Sequence, residues 1–216
     1  MRFSIDRDGW RFIAIFAAVN ALLFLIWVPL GWVFLPLTIW CAAFFRDPAR
    51  VAPEGPGLVI SPADGKLLPV ALAIPPSELE MGPQPRKRLS IFMDVFNVHV
   101  NRAPMEGEVV ALHYRSGRFF NASFDKASEH NERMSIRVRR EGRGDEGDIA
   151  VVQIAGLIAR RIRCDLVEGQ RLSRGERFGI IRFGSRVDVY LPHETMIEAE
   201  EGKRVKAGET VLARLE

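Results

Sequence analysis

Apolar and polar positions are unevenly distributed along the chain. From Phe12 to Phe45 no residue is charged, and Asn20 is one of the few polar side chains there. A membrane-crossing helix takes about 20 apolar residues. The run is too long for one such helix and slightly short for two. Pro29, Gly31 and Pro36 interrupt its middle, where helices kink or end. The pattern predicts two closely spaced apolar helices, over 12–29 and 32–45, forming a hairpin or one span with a re-entrant piece. A cleaved leader has an apolar core of about 7–15 residues followed by small residues. This run is longer, and Phe44-Phe45-Arg46-Asp47-Pro48 is no such site, so residues 1–45 are expected to stay as a membrane anchor. Arg2, Arg7 and Arg11 precede the run, and Arg46 and Arg50 follow it. Positive charge on both flanks suits a hairpin with both ends in the cytoplasm. The expected location is the inner membrane, with the soluble part on its cytoplasmic side.

Residues 46–57 contain Pro48, Pro53, Pro56, Gly55 and Gly57 and read as a linker to a domain over 58–216. Beyond it the pattern is strand-like. Leu58-Val59-Ile60, Lys66 to Val70, Leu89 to Val100, Gly107 to Tyr114, Ser135 to Arg139, Ile149 to Ala155 and Leu157 to Cys164 are apolar, β-branched or alternating. Residues 74–88 form a Pro-rich polar loop, and one helical turn is expected around 124–132. From 167 onward glycines recur every few residues. Short strands with frequent turn signals predict a mainly β fold, a compact sandwich or barrel preceded by the α-helical anchor.

Charge and composition add mostly exclusions. The net charge is +3, with no dense basic run, which argues against a nucleic-acid partner. Cys41 and Cys164 suit two buried reduced thiols better than a disulfide or a CxxC metal site. The chain has no P-loop and no Cys/His ligand cluster, so no metal site is expected.

Three short pieces carry candidate chemistry: Ser61-Pro62-Ala63-Asp64-Gly65-Lys66, Asp94 through Arg102 (DVFNVHVNR), and Phe183-Gly184-Ser185. Each alone has a plain structural reading: a turn, a core histidine, a common dipeptide. A serine hydroxyl is a poor nucleophile until a base takes its proton. His99 is the natural base, and an imidazole works best when a carboxylate fixes its tautomer. Asp94 is five residues from His99, an odd offset that sends strand side chains to opposite faces, whereas Asp64 escapes that objection. Gly184 lacks a Cβ and so admits strained backbone beside Ser185.

Taken together and in this order, the pieces resemble the phosphatidylserine decarboxylase family, in its short bacterial and archaeal form. Asn131-Glu132-Arg133 and Ala155 through Ile162 (AGLIARRI) extend the resemblance over nearly the whole soluble part. It implies an inactive proenzyme that cuts itself between Gly184 and Ser185, with Ser185, His99 and Asp64 as catalytic residues. The products would be fragments 1–184 and 185–216, held as a heterodimer, and Ser185 would become a covalent pyruvoyl cofactor. That group would take the substrate amine as a Schiff base, act as the electron sink for CO2 loss, and convert phosphatidylserine to phosphatidylethanolamine. Some relatives carry a second histidine where this chain has Phe96, which leaves the proton donor for decarboxylation open. Asn101, Arg102, Asn121 and Ser123 are candidate substrate contacts, with His113, His130 and His193 as further histidines. For Arg102 a structural pairing is an equal alternative. Val205 to Leu212 resembles the hairpin of biotinyl/lipoyl-type domains without a carrier lysine. Rival readings are a pyruvoyl decarboxylase of another serine lipid or an amino acid, and a non-catalytic membrane-tethered β-sandwich adaptor. The partner is a membrane phospholipid; a higher oligomer is left open.

Overall fold

The computed structural model describes residues 4–117, 131–142, 144, 147–156, 161–182 and 184–216. Two units are distinguishable, Met1–Ala49 with Phe96–Val98, and Arg50–Val95 with His99–Glu216.

The first unit is a helical hairpin of α1 (Gly9–Ile26) and α2 (Val28–Phe44). The break falls at Trp27, earlier than the proline positions alone suggested. Pro29 sits in the first turn of α2, where its missing N–H leaves no bond unmade, so it starts a helix instead of ending one. Pro36 lies inside α2. A Cβ on Gly31 would collide with the Phe24 ring, so glycine there lets the two helices close. At the open end, the Asp47 N–H donates to the Ser4 carbonyl at 2.7 Å and Asp6 N–H to that of Phe45 at 2.9 Å. α1 has a mean hydropathy of 2.0 and is long and apolar enough to cross a membrane; α2 is apolar and one residue shorter.

The second unit is mainly β. Its described strands are β1 (Leu58–Ile60), β2 (Gly65–Leu67), β3 (Ala71–Ala73), β4 (Arg86–Met93), β5 (Val100–Arg102), β6 (Gly107–Arg115), β7 (Arg133–Arg139), β8 (Ile149–Ala155), β9 (Ile162–Cys164), β10 (Arg171–Leu172), β11 (Arg177–Ile181), β12 (Ser185–Leu191), β13 (Met196–Ile197), β14 (Arg204–Val205) and β15 (Val211–Arg214). The largest sheet is curled and runs β10-β6-β7-β8-β12-β4-β2-β14, with β3 also on β4. Two three-stranded sheets, β1-β15-β13 and β5-β11-β9, accompany it.

β8 and β12 occupy the middle of the large sheet and are buried along their whole length. This explains why Ile149 to Ala155 shows no polar alternation: both faces are covered. One face joins Val151, Val187 and Val189 to Leu67, Leu89, Ile91, Val109 and Ile136 in the main core. The second face packs Ala150, Val152, Ile154 and Tyr190 around Leu79 from the 3₁₀ turn Ser77–Leu79.

Several expectations need correction. The apolar run 89–100 is broken by a turn after Met93, so β4 and β5 belong to different sheets. Residues 86–88, read as loop, form the start of β4, where Arg86 is buried and donates to the Asp148 carbonyl at 2.6 Å. Val205 to Leu212 is no hairpin: β14 pairs with β2, and β15 with β1 and β13. The connecting residues bond instead to the segment 61–64, with Gly208 N–H on the Ser61 carbonyl and Ala207 N–H on Asp64 Oδ1. Cys164 is only half-buried, although Cys41 is buried as expected. Burial still pushes the Cys164 thiol up to about 11, so it stays protonated at neutral pH. The expected turn over 124–130 lies outside the described residues, and Asn131 and Glu132 are not helical.

Candidate active site

Ser185 opens β12 in the middle of the large sheet and is fully buried. Its flanking partners in register are Met93 on β4 and Ala155 on β8. Gly184 before it has φ of 64°, the left-handed region that favours glycine. Among the described residues nothing lies within 4 Å of where a Cβ at Gly184 would stand, and the positive φ is what favours glycine there. The Ser185 hydroxyl has one hydrogen-bond partner among the described residues, Met93 Sδ at 3.9 Å. A thioether is a weak acceptor, so this hydroxyl is held loosely for a buried group.

A short chain of buried polar groups continues from that sulfur. Asn101 Nδ2 donates to the same Met93 Sδ at 3.8 Å, and Gln153 Nε2 donates to Asn101 Oδ1 at 2.8 Å. Asn101 and Gln153 are both fully buried. Gln153 stands on β8 two residues before Ala155, on the face that Ser185 shares. Its Oε1 is buried without a hydrogen-bond partner among the described residues. Leaving such an acceptor unpaired costs about 1–3 kcal/mol. Sequence reasoning passed over Gln153 as a strand residue. The available signal was one amide amid IAVVQIA in a run with no other polar side chain.

His99 immediately precedes β5 and is fully buried. Its carbonyl accepts the Ile181 N–H at 3.4 Å from β11, the strand that leads to Gly184. The order of the chain thus brings the His99 backbone beside the approach to the Gly-Ser pair. No hydrogen bond joins Ser185 to His99 or His99 to Asp64 among the described residues. Catalytic hydrogen bonds are often long in resting structures. Asp64 is held elsewhere: Arg50 Nη2 donates to its two oxygens at 3.2 and 2.9 Å, and Ala207 N–H to Oδ1 at 2.7 Å. Arg50 also reaches Glu209 at 3.4 Å.

The other candidates separate clearly. Asp94 is half-exposed and lies 3.7 Å from Arg204. Arg102 is buried and its Nη1 donates to the Gly175 carbonyl at 3.0 Å. His113 is exposed on β6, and His193 is exposed with Nδ1 at 3.0 Å from Glu194. Phe96 is 70% exposed, and its carbonyl accepts from Arg46 at 2.8 Å. Asn121, Ser123 and His130 lie outside the described residues. Glu132, quoted earlier only as part of a motif, is buried on the strip continuing from Ala155, whose N–H donates to the Glu132 carbonyl at 2.9 Å. Its carboxylate accepts Ile162 N–H at 3.2 Å.

The second face of β12 carries a different arrangement. Arg186 and Asp188 are fully buried there. Arg186 Nη2 donates to Asp188 Oδ2 at 2.8 Å, and Nε stands 2.8 Å from Oδ1. Burial, and then the charge of Asp188, push the neighbouring Tyr190 hydroxyl up to about 12. On the same face Arg133 and Ser135 bind Glu78. Burial alone would raise the Glu78 carboxyl, but a backbone N–H with Arg133 and Ser135 holds it below its usual value.

A buried glycine–serine junction thus heads a central strand, with the His99 backbone beside the approach to it. The family model for phosphatidylserine decarboxylase matches residues 37–213. A phosphatidylserine decarboxylase proenzyme from Paramagnetospirillum magneticum is 56% identical over 99% of this chain and 88% of its own length. Proenzymes of the same name from Cereibacter sphaeroides and Ruegeria pomeroyi are 56% and 54% identical, over 98% and 97% of this chain and 90% and 94% of their own lengths. The chain belongs to the phosphatidylserine decarboxylase family, and it is a carboxy-lyase made as a proenzyme.

Proposed function

We propose that the chain cuts itself at Gly184–Ser185, turns Ser185 into a pyruvoyl group and decarboxylates phosphatidylserine to phosphatidylethanolamine at the inner membrane. The observation that carries this reading is the loosely bonded, buried Ser185 hydroxyl directly after a glycine at positive φ. In the cut, Ser185 Oγ attacks the Gly184 carbonyl carbon, His99 takes the hydroxyl proton, and that proton passes to the departing amide nitrogen. An ester replaces the peptide bond. Loss of the Ser185 Cα proton then expels the Gly184 carboxylate, and water replaces the nitrogen, which leaves as ammonia. Asp64 supports the charged imidazole, which requires it to loosen its present hold on Arg50.

The residues present fit the pyruvoyl group. It would begin a strand fixed between β4 and β8, shielded from water on the main-core face. When formed, it supplies the electron sink that no natural side chain offers. Asn101 and Gln153 would be the polar groups nearest to it along the chain Met93–Asn101–Gln153, and the 1–184 and 185–216 fragments would remain one folded body. The apolar hairpin holds the soluble part beside its lipid substrate, on the cytoplasmic side.

The test is direct. Purified protein in detergent is expected to run as two pieces, the smaller blocked to N-terminal sequencing, and to release CO2 from phosphatidylserine. Ser185→Ala is expected to stay whole and inactive. Wild-type protein that remains one 216-residue chain under assay conditions would overturn the reading.

A further inference from the structure

The polar chain beneath Ser185 ends on Gln153 Oε1, which has no partner among the described residues. Gln153 lies on β8 among Ile149, Val151 and Ala155, all in the main core. Val187 is its partner on β12, which makes it the diagonal neighbour of Ser185 on one face. Such neighbours stand roughly 7 Å apart. A Cβ at Gly179 would strike the Arg163 carbonyl and would also come within 3.2 Å of Gln153 Nε2. The Nε2 end is used, through Asn101. The Oε1 end is buried and has no partner among the described residues. A leucine or methionine would remove that unpaired acceptor, at the expense of the bond that Asn101 Oδ1 accepts from Nε2.

An acceptor kept at that disadvantage serves a donor that arrives later. On the proposed reading, cutting at Gly184–Ser185 creates a ketone and a carboxylate, which only accept. The headgroup of a serine phospholipid brings a carboxylate and a phosphodiester, which also only accept, and one amino group. The amine is the only donor in the set. We infer that Gln153 Oε1 receives an N–H of the substrate's amino group and holds that nitrogen over residue 185. Gln153 is thus a substrate-positioning residue and reads a primary amine. A neutral amide suits the task better than a carboxylate. A carboxylate would hold the amine as an ammonium ion and block its attack on a ketone.

The inference rests on the proposed decarboxylase reading, and its test separates the two. Gln153→Met and Gln153→Glu are made in the full chain and assayed with short-chain phosphatidylserine. Both are expected to yield two fragments. Gln153→Met is expected to lower kcat/KM about 30-fold, the effect of one hydrogen bond to a polar ligand group. Cyanoborohydride-dependent attachment of the lipid to the small fragment, followed by mass, should slow by the same factor. In Gln153→Glu the acidic limb of the kcat/KM profile is expected to move up by about one pH unit, because the carboxylate holds the amine protonated. A merely structural amide would not move that limb. A cut Gln153→Met with rates and attachment within two-fold of wild type overturns the inference, as does an unchanged Gln153→Glu profile. Should Gln153→Met stay uncut, Gln153→Glu decides alone. Wild-type protein that neither cuts nor captures lipid refutes the decarboxylase reading instead.

Discussion

The two faces of β12 are equally buried and differently bonded: an ion pair lies on one, and none of the strand's side chains on the other is charged. On the second face, Arg186 and Asp188 meet at 2.8 Å through two atom pairs. On the main-core face, Ser185 has only a thioether at 3.9 Å, and the nearby Gln153 carbonyl has no partner among the described residues. Buried polar groups are normally satisfied, yet each face keeps an exception among the described residues, Gln153 Oε1 on one and Ser90 Oγ on the other. The contrast separates two jobs within seven residues. On the proposed reading, one face fixes the strand and the other supplies the hydroxyl and the amide.

That comparison can be broken at several points. Ser185→Ala should abolish self-cleavage completely, seen as a single band on a denaturing gel, while the protein still folds. His99→Ala should slow the cut by about 100-fold or more, the usual contribution of a general base; normal processing would remove His99 from the role. On the other face, Arg186→Met should cost about 3–5 kcal/mol in chemical denaturation, because Asp188 is left as a buried unpaired charge. Adding Asp188→Leu to that variant should recover most of the loss, since a buried pair replaced by apolar residues is often near neutral. Failure to recover would mean that the pair does more than match charges.

Smaller effects follow from titration. The Tyr190 hydroxyl is raised in the folded chain, to about 12 from its ordinary 10.0. Its contribution to stability is therefore complete below pH 10 and lost as pH rises toward 12. Tyr190→Phe should flatten the alkaline end of a stability profile. Glu78 behaves in the opposite sense: its lowered carboxyl stabilises the fold above the usual carboxylate range and ceases to do so as pH falls through its folded value. Glu78→Gln should weaken the acid dependence of stability by a small, measurable amount.

Much of this was legible in the sequence because long apolar stretches and joint motifs survive without tertiary context. The hairpin, the mainly β unit, and the strands at 58–60, 107–114 and 149–155 were all visible. The family followed from motifs in order. Features set by register and not by local pattern were missed. Residues 86–88 looked like loop because Arg86 finds its partner 62 residues away. Arg186 and Asp188 are an ion pair only because a strand returns every second side chain to one face. Gln153 gained meaning once β8 was known to lie beside β12. Asp64 was assigned to His99 from its company, whereas its actual contacts run to Arg50 and Ala207, distant in sequence and unreadable from spacing.

The position of Ser185 has one last consequence. A cut before it would free a segment whose β12 fills the middle of the large sheet, whose β14 borders β2, and whose β15 lies against β1. The two pieces would be interwoven, and neither could leave without dismantling the other. Once unfolded, they would have to find each other by collision, so renaturation would slow with dilution where the uncut chain's would not. Such a protein folds once, as a single chain, and its lifetime as an enzyme afterwards is set by how slowly it comes apart.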